Sequence, residues 1–116
     1  MVQDYWVDKA AVVTGGARGQ GAAEVIRLLS AGAIVYAVDV LPDNGENWGE
    51  LRSASDAWKD RLHIVHTDVS SAKSWDDLAA RLKNDDVKLY ALVNNAGITL
   101  RKTVTQTSPE EWERLI

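Results

Sequence analysis

The segment that most constrains the fold of this chain is residues 14–21, with the sequence TGGARGQG. It follows an apolar run, residues 10–13, and precedes a segment with helical periodicity, so it connects a predicted strand to a predicted helix. Glycines let a backbone turn sharply and approach a ligand closely, and the first N–H groups of a helix bind anions. The segment is therefore predicted to bind a phosphate group. A tight turn with close helix packing would explain the same glycines.

Composition limits the classes of protein to consider. The 116 residues are enough for one domain, and 46% apolar and 26% charged residues are typical of a soluble globular protein. A net charge of −4 gives no electrostatic reason to expect nucleic acid or an anionic membrane as a partner. The absence of cysteine excludes disulfides and suits a cytoplasmic protein. Residues 1–9 contain Asp4 and Asp8, which argues against a signal peptide, and no apolar run is long enough to span a bilayer.

The apolar patterns predict alternating strands and helices. Strands are predicted over residues 9–13, 34–40, 62–67 and 89–93. Helices are predicted over residues 22–31, with Gly32 as the terminating glycine, over a weaker amphipathic segment through Trp48, Leu51, Ser55 and Trp58, and from Ser70 or Ser71 to residues 84–86. This order predicts an α/β fold of the Rossmann type, a doubly wound parallel sheet in the strand order 3-2-1-4 with helices on both faces.

The last predicted element is a helix that begins with Ser108-Pro109-Glu110-Glu111, a capping box with proline at the first helical position. The pattern stops at Ile116 without a C-cap, so we expect this helix to be truncated. Residues 1–116 are accordingly interpreted as the N-terminal, dinucleotide-binding part of a single domain.

An acidic residue narrows the phosphate ligand to a dinucleotide. Asp39 ends the second predicted strand 18 residues after Gly21, near the ~20 expected for a carboxylate that binds an adenosine ribose. A carboxylate there repels a 2′-phosphate and favours NAD over NADP, whereas Arg18 could accept that phosphate. We expect Asp39 to determine the preference between NAD and NADP, because Arg18 can also reach the pyrophosphate or solvent. A helix-capping Asp39 and a solvated Arg18 are the alternative interpretations.

Four motifs in this order resemble the short-chain dehydrogenase/reductase family. They are the glycine segment, Asp39, Asp68-Val69 and Asn94-Asn95-Ala96-Gly97, and together they extend over nearly the whole chain. The resemblance implies that these motifs bind a nicotinamide cofactor, and the Asp39 carboxylate favours NAD over NADP. The residues it implies for cofactor binding are Gly15, Arg18, Gly19, Gln20, Gly21, Asp39, Val40, Asp68, Val69, Asn95, Ala96 and Gly97.

Within that set the resemblance implies distinct contacts. Arg18, Gly19 and Gln20 would follow the pyrophosphate towards the nicotinamide, where the family commonly has an aliphatic residue in place of Gln20. Asp68 would accept a hydrogen bond from the adenine amino group, and Val69 would pack on the ring. Asn95 and the two residues after it would line the middle of the cofactor. Strand-end caps and turns are the alternatives for Asp68 and for Asn94–Gly97.

The reaction of the family needs a tyrosine four residues before a lysine, with an upstream serine. Tyr5 and Lys9 have that spacing, but they precede the first strand, so we reject them and predict no catalytic residue in this chain. His63 and His66 fall on opposite faces of one strand and predict no metal site.

The sequence thus predicts the cofactor-binding half of an oxidoreductase that transfers a hydride between nicotinamide and a small alcohol or ketone. By resemblance, the intact protein would be a homo-oligomer, a dimer or a tetramer. Two alternatives remain: a non-catalytic dinucleotide-binding module, and a half that a second chain completes. The strand over residues 89–93 would be an exposed apolar edge in a module that stands alone, which argues against the first alternative.

Overall fold

The computed structural model describes residues 5–95 of the chain. Its strands are β1 (Ala10–Thr14), β2 (Ile34–Asp39), β3 (Leu62–His66) and β4 (Leu89–Val93). Its helices are α1 (Gly19–Ser30), α2 (Gly45–Ala54), a 3₁₀ helix (Asp56–Arg61) and α3 (Ala72–Asn84). The strands form one parallel sheet in the order β3-β2-β1-β4, which confirms the predicted α/β fold and strand order.

Helices cover both faces of the sheet, and each face has its own apolar core. The face under α1 and α2 buries Val13, Val25, Leu29, Val35, Trp48 and Leu51. The face under α3 buries Ala10, Val12, Tyr36, Val38 and Leu78. The continuous apolar sequences of β1 and β2 follow from this arrangement, because a strand covered on both sides exposes neither set of alternating side chains to water. No helix within residues 5–95 is long and apolar enough to cross a membrane.

The helix ends are fixed by specific polar groups. α1 ends before Gly32, whose φ of 106° lies in the left-handed region that favours glycine, as predicted. Arg61 donates to the carbonyl oxygens of Leu29 and Ala33 at 2.9 and 2.8 Å, which satisfies acceptors at this helix end. At the start of α3, the Ser71 hydroxyl accepts from the Ser74 N–H at 3.3 Å, so Ser71 is the cap.

Element boundaries differ from the sequence prediction by a few residues, and one predicted helix is divided. α1 begins at Gly19, three residues earlier than expected, while β2 ends at Asp39 and β3 at His66, one residue early in each case. The single helix predicted through Trp48 and Trp58 is wrong, since α2 ends at Ala54 and Trp58 lies in the 3₁₀ helix. The buried Ser55 hydroxyl donates to the Leu51 carbonyl at 2.5 Å, a side-chain bond that competes with helical geometry.

A polar cluster joins the end of α3 to the middle of β2 and β3. The Tyr36 hydroxyl donates to the Asp85 carboxylate at 2.6 Å. The His63 ring stacks on the Tyr36 ring, with 4.6 Å between the ring centroids. Arg81 reaches both Asp85 and the His63 Nδ1. Burial and the bond to Asp85 raise the pKa of Tyr36 to about 12. The bond from Tyr36 lowers the pKa of Asp85, and burial and Arg81 lower the pKa of His63.

Candidate functional site

The glycine segment leaves β1 at Thr14 and enters α1 at Gly19, at the carboxyl edge of the sheet. Gly15 and Gly19 have φ values of 66° and 61°. A residue with a side chain would be strained in this left-handed conformation. The Gly16 N–H donates to the Val38 carbonyl at 3.1 Å and holds the turn against β2. Arg18 caps α1 in an extended conformation without a side-chain hydrogen bond, and no acidic residue occupies the first helical turn. The helix N-terminus therefore keeps donors and positive potential for an anion.

Gly21 is required by packing rather than by its backbone conformation. A Cβ placed there would overlap the Gly15 carbonyl oxygen and would lie 2.8 Å from Asn95 Nδ2. A Cβ on Gly19 would instead meet no atom within 4 Å. The turn is thus closed on the side of α1 and Asn95 and open beside Gly19, where Arg18, Gly19 and Gln20 are exposed. This cradle fits a pyrophosphate, because its open side presents backbone that a ligand can approach closely.

Thr14 fixes the end of β4 against this turn. Its hydroxyl oxygen accepts from the Asn95 N–H at 2.8 Å and lies 3.3 Å from the Val93 carbonyl and from Asn94 Oδ1. The residue is completely buried. Sequence reasoning did not include Thr14 among the site residues. The signal was available, because a hydroxyl at the end of a buried apolar strand must find hydrogen-bond partners.

Asp39 lies beside the glycine segment, as its spacing predicted. One carboxylate oxygen accepts from the Ala17 N–H at 3.3 Å, and the other accepts from the Leu41 N–H at 3.3 Å. The Asp39 carbonyl accepts from the Thr67 N–H at 2.9 Å, which continues the pairing of β2 with β3. The side chain is half-buried. A negative charge is therefore held at the edge of the cradle, next to the backbone that would face a pyrophosphate.

Asp68 and Val69 lie at the end of the neighbouring strand β3. The Ser70 N–H and hydroxyl both donate to Asp68 Oδ1, at 2.9 and 2.6 Å, and these bonds lower the pKa of Asp68. Sequence reasoning did not identify Ser70 as the partner of Asp68. The Val69 carbonyl accepts from the Trp75 indole N–H at 2.8 Å, which orients the turn into α3. Val40, one residue beyond β2, is 51% exposed.

The structure brings part of the predicted site together around the glycine turn and places the pair with catalytic spacing, Tyr5 and Lys9, before β1. Contacts join Gly15, Gly21, Asp39 and Asn95 around one turn, while Ala96 and Gly97 lie outside the described residues. The Lys9 ammonium donates to the Tyr5 carbonyl, and its nitrogen lies 4.4 Å from the Tyr5 ring centroid. Both residues precede β1, at the edge of the sheet opposite the glycine turn.

This geometry defines a parallel α/β domain with a glycine-rich turn and a neighbouring carboxylate at the carboxyl edge of its sheet. A family model described as short chain dehydrogenase matches residues 9–116. The chain belongs to the short-chain dehydrogenase family. The resemblance carried by the four sequence motifs is therefore confirmed at the level of the family.

Individual relatives agree with this assignment. The cyclopentanol dehydrogenase of Comamonas sp. (strain NCIMB 9872) is 37% identical over 109 residues, which cover 93% of this chain and 42% of the relative. The trans-4-hydroxycyclohexanecarboxylate dehydrogenase of Sinomonas cyclohexanicum is 35% identical over 118 residues, covering 99% of this chain and 46% of the relative. The chain thus spans less than half the length of these two proteins.

A solved structure described as a putative gluconate dehydrogenase from Agrobacterium tumefaciens superposes with a TM-score of 0.81 at 27% identity. The alignment covers 99% of this chain and 44% of that structure. The described helices and strands therefore occur in the same arrangement in that structure.

Proposed function

We propose that the protein is an NAD-preferring oxidoreductase that transfers a hydride between nicotinamide and a small alcohol or carbonyl compound. Two of its relatives are named for the oxidation of cyclic secondary alcohols, cyclopentanol and trans-4-hydroxycyclohexanecarboxylate, which supports an alcohol substrate of this kind. When bound, the nicotinamide would supply the hydride acceptor. The residues of this chain would bind and orient the dinucleotide.

The proposed binding roles follow the carboxyl edge of the sheet. Gly15 and residues 18–21 would hold the pyrophosphate, because the N–H groups at the start of α1 carry positive potential. Asn95 would line the centre of the cofactor, where its backbone is held by Thr14. The residues proposed for the adenosine end are Asp39, Val40, Asp68 and Val69, and those proposed to extend the central part are Ala96 and Gly97.

The Asp39 carboxylate is the single observation that carries the preference for NAD. It lies beside the cradle, fixed by the N–H groups of Ala17 and Leu41. Ribose hydroxyls can donate to the remaining lone pairs of its oxygens, whereas a 2′-phosphate would be repelled. The Arg18 side chain opposes this preference, but it is exposed, and solvent screens its charge. The anchored carboxylate is therefore expected to determine the choice between NAD and NADP.

The Asp39→Ala substitution tests this preference. It removes both the ribose acceptor and the repulsion, so we expect affinity for NAD to fall about tenfold, with a smaller loss or a gain for NADP. Tryptophan fluorescence titrations with the two dinucleotides measure both constants. Asp43→Ala is the matched control, because Asp43 is an exposed carboxylate nearby that pairs with Arg52. An unchanged ratio of the two constants in Asp39→Ala would contradict the assignment.

Binding and turnover separate this proposal from a non-catalytic dinucleotide-binding module. The Tyr5–Lys9 pair lies at the opposite edge of the sheet, so we propose that residues 1–116 alone bind NAD without oxidising an alcohol. The intact protein, by contrast, should reduce NAD in the presence of cyclopentanol or a related cyclic alcohol. NAD binding without turnover on a panel of such alcohols would favour the module. Turnover by residues 1–116 alone would refute the predicted inactivity.

A further inference from the structure

His66 occupies the strand position directly beside Asp39. The two residues are register partners in the parallel pairing of β2 with β3. Partners in neighbouring strands of a sheet point to the same face, so the imidazole and the carboxylate project from the same side of the carboxyl edge. His63, three residues earlier, stacks on Tyr36 on the α3 face. The two histidines of β3 therefore have different surroundings, and one of them belongs to the edge that carries the cradle.

The His66 ring is tied to the backbone that follows Asp39. Its Nε2 lies 2.7 Å from the Val40 carbonyl oxygen. Because a carbonyl oxygen only accepts, Nε2 carries the proton and donates. The next residue, Leu41, donates its N–H to the Asp39 carboxylate. The histidine and the Asp39 carboxylate thus both hold the chain from Asp39 to Leu41, beside the Thr67 N–H on the Asp39 carbonyl and the Trp48 indole N–H on the Leu41 carbonyl.

We propose that His66 is a positioning residue for the adenosine end of the cofactor site. It affects the choice between NAD and NADP by fixing the orientation of Asp39. This inference rests on the proposed function. Its bond to Val40 holds the turn that begins α2 against β3. That turn places the Leu41 N–H, which orients the Asp39 carboxylate. Without the bond, the turn can move, and the carboxylate loses the fixed orientation that favours a ribose diol over a 2′-phosphate.

A second mechanism, in which the His66 ring acts through its charge, predicts the opposite effect on the preference for NAD. Asp39 faces this ring from β2, and Asp68 lies two residues further along the chain. If the imidazole acted as a cation, it would attract a 2′-phosphate, and its removal would strengthen the preference for NAD. The positioning role predicts that removal weakens the preference. The sign of the change therefore distinguishes the two mechanisms.

The test compares His66→Leu with His66→Gln in the intact protein. Leucine cannot donate to the Val40 carbonyl, so NAD affinity should fall about three- to tenfold, and the NAD-to-NADP affinity ratio should fall with it. Glutamine has an N–H donor of similar reach and should stay within about twofold of wild type for both dinucleotides. His63→Gln is the matched control on the same strand, and its affinity ratio should not change.

Each result supports or overturns the proposal. A lowered ratio in the leucine variant with rescue by glutamine supports it. An unchanged or raised ratio overturns it, and so does an equal loss for both dinucleotides, which general destabilisation would produce. Thermal melts check folding, and His66→Thr, too short to reach the carbonyl, replaces the leucine variant if that one is insoluble. If the wild-type protein binds neither dinucleotide, the proposed function is refuted as well. If the wild-type protein prefers NAD and His66→Leu keeps that preference, only this inference is refuted.

Discussion

The glycines of the connecting turn meet different physical demands, although they look alike in the sequence. Gly15 and Gly19 are needed for their left-handed φ values. Gly21 is needed because a Cβ would overlap the Gly15 carbonyl and crowd Asn95. The close packing at Gly21 brings α1, the end of β1 and the end of β4 together at one point. A change at Gly21 therefore affects the cradle as a whole, since the atom nearest to an added Cβ is the Gly15 carbonyl oxygen, which is backbone and cannot rotate away as the Asn95 side chain can.

The Gly21→Ala substitution should damage both stability and binding. The methyl group must displace the turn or Asn95, at a cost of about 1–3 kcal/mol in the free energy of unfolding. Because the displaced backbone is the proposed pyrophosphate site, NAD affinity should fall at least about tenfold. Urea unfolding and dinucleotide titration measure the two effects separately.

Gly49→Ala provides the control for this prediction. Gly49 lies inside α2, where a Cβ meets no atom within 4 Å. Alanine is favoured over glycine in a helix interior, so this variant should be as stable as wild type or more stable by up to about 1 kcal/mol. Its NAD affinity should not change. Equal behaviour of the two variants would show that crowding at Gly21 has no special role.

At the scale of residues, spacing predicted which positions matter but not what holds them. The distance between Gly21 and Asp39 predicted a carboxylate near the turn, because consecutive strands of a doubly wound fold end at the same edge. The bond from Ala17 to Asp39 and the bond from His66 to Val40 depend on strand register. Register between parallel strands is set by packing across a whole helix crossover, which no local sequence pattern reports.

At the scale of elements, the strands were the most predictable part of the molecule. Short apolar segments indicated all four, although His63 interrupts the one for β3, and β4 begins and ends at the predicted residues. The predicted helix through Ser55 was wrong because apolar spacing continues across the break. Trp48 is buried in the core under α1 and α2, and Trp58 packs against that core from the 3₁₀ helix. Both geometries bury the same side chains, so burial alone did not distinguish them.

The cluster at the end of α3 predicts how stability changes below neutral pH. The folded state lowers the pKa of His63, through burial and then through Arg81, while Asp85 opposes this. In the window below the ordinary histidine pKa, the unfolded chain therefore binds more protons than the folded chain, and stability falls as pH decreases. From about pH 7 to about pH 5, we therefore expect the melting temperature to fall.

The His63→Gln variant isolates this contribution. Glutamine does not titrate, so the decline over the same pH interval should be smaller than in wild type. Asp85 contributes on the acid side as well, but its lowered pKa places that loss of stability below its ordinary value of 3.8, outside the interval. Melting curves followed by circular dichroism at several pH values check the prediction. Parallel declines in the two proteins would contradict the role of His63.

At the scale of the whole molecule, β4 forms one edge of the sheet. Among residues 5–95, β4 pairs with β1 alone, so its other edge presents backbone N–H and carbonyl groups. Its side chains Leu89, Tyr90 and Leu92 are 47%, 50% and 52% exposed. An edge strand that is apolar and unpaired is a template for association with another strand. Within residues 5–95, β4 is thus an apolar edge of the kind that the sequence predicted for a module that stands alone.

This edge predicts self-association of the polypeptide of residues 1–116. Sedimentation velocity over a concentration series should show species larger than a monomer, and Leu92→Lys should shift the distribution towards monomer. The lysine stem can lie along the apolar surface while its ammonium blocks the approach of a second strand, so the fold should tolerate the change. Ala80→Lys adds the same charge at an exposed position of α3 and should leave the distribution unchanged. If the wild-type polypeptide is monomeric at every concentration, or if both lysine variants reduce association equally, β4 is not the surface through which these chains associate.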